Sequence, residues 1–333
     1  MTKEQEQIFS STGEAGLKRR GFDRLYWNWK GAPIDNPDIL SRAYGRLRNL
    51  GSLAGISRVV FRSLVTNDVF QKMPAEVASE IEVIVPFGND WIILAAHNGV
   101  SRKPIVPVAQ MVKETSSYVN KPRRAFERVR LLEDLGVSFN STFTAEQEAQ
   151  LLNLWSRTFG WSGEEITALR RRLNGDIERG IGRSLWFSSA TKDGVIVAAA
   201  MAEKLRLRTS SGYVDLIENT EWKTLEGYEN QGFITATIAH LNSQVIRDLR
   251  GKEFLIFAEC NFMSRSDRAA NGAGFVVPER RYDQNSFPQI LCQNVEVNDG
   301  IDPKGLRDFT FMHLPPENIE KYYSRPDTKE VLR

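Results

Sequence analysis

The sequence predicts an α/β protein of the α+β kind, a mixed, mostly antiparallel sheet flanked by helices and preceded by a smaller α/β unit. Three observations predict it. Apolar residues switch repeatedly between a period of two and steps of three and four; the succession of segments restarts near Gly136; and Val214–Arg250 passes from a strand through a glycine-bearing turn into a long helix. At 333 residues the chain is long for one domain, and about 100–200 residues per domain favours two units. We divide it into a polar, frayed stretch at 1–20, an N-terminal α/β unit at 21–135 and a C-terminal unit at 136–333.

Composition narrows the function classes. Apolar residues make up 41% and charged residues 26%, as in ordinary globular proteins, and 44 basic residues balance 42 acidic ones. That balance argues against a nucleic-acid or membrane partner. Cys260 and Cys292 are too few for a disulfide framework, and neither has a CxxC partner or a nearby histidine pair, so a reducing compartment and no structural metal are expected. Met1–Gly31 lacks the apolar core of a signal peptide, and no run reaches the ~18 apolar residues a membrane helix needs. A cytoplasmic protein is expected.

In the first half, Phe22, Tyr26, Trp27 and Trp29 are too many aromatics for a free tail and are expected to pack against a neighbouring domain. Leu40, Tyr44, Leu47 and Leu50 share one helical side, which predicts a helix over 39–53. Arg58–Leu64 reads as a strand. Ile81–Phe87 and Trp91–Ala96 read as two more, joined through Gly88-Asn89-Asp90. A helix over 108–118 follows, and the basic run Lys121–Arg130 reads as a solvated helix face.

The second half begins with a strand over 137–143. Thr144…Gln147 and Ser162…Glu165 have the form of capping boxes before two helices. Strands over 184–190 and 195–207 flank Lys192-Asp193-Gly194, a hairpin signature. Then comes the stretch at 214–250, whose helix carries Phe233, Ile234, Ile238, Leu241, Val245 and Leu249 on one stripe and stops at Gly251. Strands over 254–259 and 309–314, a short helix over 264–271 and a strand beginning at Gly274 complete the order. The turn before the long helix offers unpaired N–H groups and the positive end of a dipole, as a phosphate requires.

This order resembles that of the GNAT superfamily of N-acetyltransferases over about 137–315, and loosely over 20–130 as a partial domain of the same kind. Glu218-Asn219-Thr220-Glu221-Trp222-Lys223-Thr224-Leu225, followed by Tyr228 and Gly232, resembles the strand-four pattern of the β-lysine N-acetyltransferase branch, and Phe257-Ala258-Glu259 leads to Gly274-Phe275 across a helix of suitable length. The resemblance implies transfer of an acetyl group from acetyl-CoA to the amine of an amino acid or related small molecule. It places the cosubstrate along Thr224, Leu225, Asn230, Gln231, Gly232, Phe233, Ile234 and Thr235. Two departures stand out. Glu229 replaces the basic residue of the phosphate turn and Ile234 its last small residue, while Ala270 stands where many members have a proton-donating tyrosine. An acyl carrier protein as donor, or a non-catalytic binding module, are the alternatives these departures raise.

Strand alternation puts Glu218, Thr220, Trp222 and Thr224 on one face and Glu221 and Lys223 on the other, unless a bulge intervenes. Glu218 is the first candidate for a base or a ligand of the substrate ammonium, and Glu221 the second, with Thr220 beside them; a cross-strand pair to Arg206 or Lys204 is the structural alternative for either acid. Glu259 and Asn261 are read as substrate contacts or as caps of the following helix. Cys260 is read as packing, and His97, His240 and His313 have no orienting acid at a telling spacing.

Overall fold

The computed structural model describes residues 14–19, 23–29, 32–53, 58–96, 110, 125–178, 183–209, 211–261, 265–277, 295–297, 305–307 and 309–323. The N-terminal unit is a five-stranded sheet. Its strands are β1 (Glu14–Arg19), β2 (Asp23–Asn28), β3 (Arg58–Thr66), β4 (Ile81–Phe87) and β5 (Asp90–Ala96), in the order β1-β2-β3-β5-β4. Its helices are α1 (Pro37–Leu53), α2 (Asn67–Gln71) and α3 (Ala75–Glu80). Leu40, Tyr44 and Leu47 of α1 are buried with Phe61 and Val65 of β3, as their spacing requires.

Two expectations change here. Glu14–Arg19 lies in the stretch read as frayed, yet it pairs with β2 along its length. Of the aromatics, Phe22 lies outside the described residues, Tyr26 and Trp27 fall in β2, and Trp29 just after it packs against the core of its own unit, donating from Nε1 to Ala32 O at 2.9 Å. The expected helix over 108–118 lies outside the described residues apart from Gln110.

The chain goes on through α4 (Ala125–Asp134), β6 (Ser138–Asn140), α5 (Glu148–Phe159) and α6 (Gly163–Glu178). It continues through β7 (Leu185–Lys192), β8 (Val195–Arg208), β9 (Tyr213–Thr224), α7 (Phe233–Asp248), β10 (Phe254–Asn261) and α8 (Ser266–Gly272). A small pair, β11 (Val295–Val297) with β12 (Gly305–Arg307), precedes β13 (Phe309–Leu314) and α9 (Pro316–Tyr323). The six-stranded sheet runs β13-β10-β9-β8-β7-β6 and is antiparallel except between β9 and β10. Local signals behave as their chemistry predicts. Ser162 and Glu165 exchange hydrogen bonds, Glu165 N–H to Ser162 Oγ at 3.3 Å and Ser162 N–H to Glu165 Oε2 at 2.9 Å. Asp193 and Gly194 take φ of 51° and 78° between paired Lys192 and Val195, the left-handed geometry of a two-residue hairpin.

The two faces of this sheet are covered differently. Helix α7 lies across one, with Ile238, Leu241 and Val245 against Ile217, Ile256 and Ala258. Because α4, α8 and α9 in turn pack on α7, its polar side also is buried at Thr237, Asn242, Ser243 and Gln244, which a single apolar stripe does not anticipate. Helices α5 and α6 cover the β7–β8 end of the other face through Trp155, Trp161 and Leu169. The rest of that face receives the N-terminal sheet, whose Leu64, Val85 and Ile92 join Leu207, Leu216, Leu255, Phe257 and Phe311 in one apolar layer.

A polar chain crosses the α7 side. Trp222 Nε1 donates to Asn219 Oδ1 at 2.5 Å, Asn219 Nδ2 to Asn242 Oδ1 at 2.7 Å, Asn242 Nδ2 to Tyr323 Oη at 3.0 Å, and Tyr323 Oη to Ala273 O at 2.5 Å. Asn242 sits at its centre. Asn242→Ala should lower the unfolding free energy by about 1–3 kcal/mol, read from urea denaturation, because it strands the Asn219 amide in the interior and removes the hydrogen bond that Tyr323 Oη accepts.

Candidate active site

Strand β9 serves its two neighbours unequally. It pairs with β8 from Tyr213 to Thr224, but its parallel register with β10 runs only from Asp215–Glu218 opposite Phe254–Phe257. Beyond Glu218 the strands part, β9 continuing to Thr224 along β8 and β10 continuing to Asn261 along β13. A bulge accompanies the parting. Ala199 and Met201 of β8 oppose Lys223 and Thr220, so β9 holds an extra residue in that interval, and Glu221 there has φ of 58°. Such an insertion bends its strand, which turns the end of β9 from β10 and opens a fork in the sheet.

The bulge corrects the face assignment made by alternation. Glu218 and Thr220 stay on the face turned from α7, opposite Glu203 and Met201. Trp222 and Thr224 do not stay with them. The Trp222 ring meets Phe275 edge-on at 6.1 Å on the α7 side, and Thr224 lies opposite Ala198, which is buried against α7.

Glu218 has an ionic partner that sequence reasoning missed. Arg62 Nη2, from β3 of the N-terminal unit, lies 2.8 Å from Glu218 Oε2, with the two side chains 6% and 15% exposed. Its guanidinium also lies 5.1 Å from the centre of the Phe257 ring. The partners expected from the neighbouring strand are engaged elsewhere: Arg206 holds Asp215 through two contacts of 2.6 and 3.0 Å, and Lys204 approaches the same carboxylate at 3.9 Å. No local signal in the sequence could pair residues 62 and 218. A carboxylate already sharing its charge with a guanidinium is better suited to holding an ammonium than to drawing a proton from one.

The turn before α7 is formed by residues that accept left-handed backbone, Asn230 at φ 62° and Gly232 at φ 84°, the latter capping the helix. Gln231 Nε2 donates to Gly227 O at 3.1 Å, and Phe233 is buried with Tyr228 edge-on at 5.7 Å. Glu229 is exposed and its Oε2 accepts from Gly227 N–H at 2.7 Å, so the carboxylate is turned back on its own loop. An arginine lies over the glycine at 232. A Cβ there would fall on the side chain of Arg128, which α4 lays directly across the first turn of α7. The basic run read as a solvated face therefore brings one of its cations to the turn that lacks a basic residue of its own. Among the described residues Arg128 has no hydrogen-bond or ion-pair partner.

The remaining candidates fall as follows. Leu225 donates from its backbone N–H to Val197 O at 2.8 Å and packs with α5 and α6. Ile234 is half-buried and Thr235 touches Gly272 of α8. Glu259 lies opposite Phe311 on the β10 face that also carries Phe257. Asn261 closes β10 opposite Phe309, and its side chain lies outside the described residues. The residue at the head of α8 is Arg265, at φ 60°, with no side-chain cap. Cys260 is buried, and burial first, then the charges of Asp267 and Glu259, push its thiol well above the ordinary range, so it is no nucleophile. Ala270, also buried, packs beside Tyr323. His97 lies outside the described residues. Among the described residues no group of His, Cys, Asp and Glu is placed to hold a metal ion, and no helix is long and apolar enough to cross a membrane.

No family model and no curated protein matches the chain. Solved structures similar to part of it include one described as a GNAT-family acetyltransferase from Desulfovibrio desulfuricans, at 16% identity and TM-score 0.33, covering 54% of this chain and 98% of that one. Arabidopsis thaliana NAA60 in complex with acetyl-CoA is similar at 13% identity and TM-score 0.38, covering 53% and 97%. An aminoglycoside acetyltransferase in complex with coenzyme A and kanamycin is similar at 13% identity and TM-score 0.33, covering 56% and 98%. Likeness at this level says nothing of activity or substrate.

Two buried histidines give this unit a pH dependence. His240, on α7, has Nδ1 2.9 Å from Ser188 Oγ, and burial, then Arg247, lowers its pKa to about 4; burial lowers His313 to about 4 as well. A free histidine protonates near 6.5, so between about 6.5 and 4 the unfolded chain binds more protons than the folded one, and stability falls as pH falls through that window. Urea midpoints measured at pH 7 and pH 5 should therefore drop on acidification, and the drop should be smaller in His240→Gln.

Proposed function

We propose that this chain is an N-acyltransferase, transferring acetyl from acetyl-CoA to the amine of an amino acid or a related small molecule. The observation that carries the reading is the fork, where a parallel strand pair parts at Glu218 and Phe257 while both strands continue with other partners. A thioester arm needs such a place: an opening bordered by strand edges, whose backbone groups can meet its amides and its carbonyl oxygen. Helix α7 begins beside the end of β9, so its N–H groups and dipole suit the pyrophosphate of the same cosubstrate. Glu229, the feature that favoured another donor, spends its charge on Gly227, and Arg128 lies where a cation is wanted.

The residues divide the work. Glu218 holds the incoming ammonium, and Glu221, on the bulge, takes one proton from it to free the nitrogen lone pair. The nitrogen attacks the thioester carbonyl carbon, forming the C–N bond as the carbonyl pair moves to oxygen. On collapse the oxygen pair re-forms the carbonyl and the C–S bond breaks; the thiolate leaves with the C–S bonding pair and takes the second proton shed by nitrogen. The products are the amide and the free thiol, with one proton left on Glu221. Thr220 borders this point, and Glu259 lines the β10 side.

Heating the protein with and without saturating acetyl-CoA tests the reading. Binding at 100 to 1,000 times the dissociation constant should add about 2.7–4.1 kcal/mol of stability, and no shift with any CoA ester would sink the proposal. In a thiol-release assay, Glu221→Gln should cost roughly 10²–10⁴-fold in kcat. Arg128→Ala should raise the KM for acetyl-CoA while leaving turnover of acetyl-pantetheine, which lacks the pyrophosphate, unchanged.

A further inference from the structure

Among the described residues Arg62 is the one strongly buried cation that the N-terminal sheet delivers to the fork, and the acyl-transfer reading gives it no role. Its backbone lies in β3, and the sheet that carries it is held against the C-terminal sheet by the layer of Leu64, Val85, Phe257 and Phe311. The Arg62 side chain is only 6% exposed, and its guanidinium sits 5.1 Å from the Phe257 ring centre and reaches Glu218 Oε2 at 2.8 Å. Glu218 and Phe257 are the last paired residues before the strands part, so this contact stands at the apex of the fork. Among the described residues Glu218 Oε1 has no hydrogen-bond partner.

We infer that Arg62 is a positioning residue of the acceptor site: by fixing Oε2 it aims Glu218 Oε1 at the ammonium of the substrate, so that the N-terminal sheet is a working wall of the active site. The inference rests on the acyl-transfer reading and adds to it the source of acceptor recognition. Charge explains the design. An unpaired glutamate at this depth would be costly to keep, and an ion pair holds both groups in one geometry. Turned toward an amine, the arrangement favours acceptors that arrive as cations over nucleophiles that arrive neutral.

The experiment compares the full-length wild type with Arg62→Met, Arg62→Lys, Glu218→Gln and the double variant Arg62→Met/Glu218→Gln, each characterised by its unfolding temperature and by acetyl transfer from acetyl-CoA. The acceptors are lysine and 1,4-diaminobutane as cationic amines and hydroxylamine as a nucleophile that is largely uncharged at pH 7.5. Arg62→Met alone leaves a buried carboxylate unpaired and should unfold at lower temperature; the double variant removes both charges and should recover the wild-type temperature. The expected result is that Arg62→Met, assayed below its unfolding temperature with Glu218 intact, raises the KM for lysine and 1,4-diaminobutane at least tenfold with kcat little changed and the KM for hydroxylamine by much less. The double variant serves only to show that the fold survives the loss of both charges. Arg62→Lys should restore part of the lysine KM. If folded Arg62→Met keeps the wild-type KM for the cationic amines, Arg62 is structural and the inference fails. Equal losses for all three nucleophiles overturn it too, since recognition would not then follow charge. A wild type that acetylates none of them refutes the acyl-transfer reading itself, and the inference with it.

Discussion

The C-terminal unit depends on how β9 divides its backbone hydrogen bonds. A strand can pair on both edges only while both neighbours stay in register, and the extra residue at Glu221 ends that condition on the β10 side alone. From there the sheet must open. Helix α7 starts just past the end of β9, which brings the N-terminal turn of a long helix to the fork without any further device.

The two faces of the sheet then take different tasks. On the α7 side the space is filled: Trp222, Asn219, Asn242 and Tyr323 link three elements through buried hydrogen bonds, and little freedom remains for a ligand. Such a network stabilises only when every member is satisfied, and here each side chain has its partner. On the other face, α5 and α6 cover one end and the N-terminal sheet the other, and charged groups meet at the apex between them. The N-terminal unit thus contributes apolar area and a cation to the same surface, which binds its presence to the condition of Glu218.

The turn before α7 shows how a missing residue can be replaced from a distance. Glu229 has the wrong charge for a phosphate loop when read along the chain. Its carboxylate instead accepts from Gly227 N–H, while Arg128 crosses from α4 over Gly232. The glycine is required by its φ of 84°, which disfavours any side chain, and the arginine lies over it.

By itself the sequence determined the order of elements from 137 to 261, the capping box at Ser162 and Glu165, the Asp193-Gly194 hairpin and the stripe of α7, because each depends on residues close together in the chain. It also marked 218–232 as the stretch to watch. It did not determine which way Trp222 and Thr224 face, since a bulge is a property of two strands and only pairing with β8 reveals it. Nor did it determine the partners of Glu218 and Gly232. Arg62 lies 156 positions from Glu218, and Arg128 sits in a basic run whose composition alone suits a solvated face. Contacts of that range are decided by which sheet and which helix pack on a surface, and that is settled only when the apolar layers close.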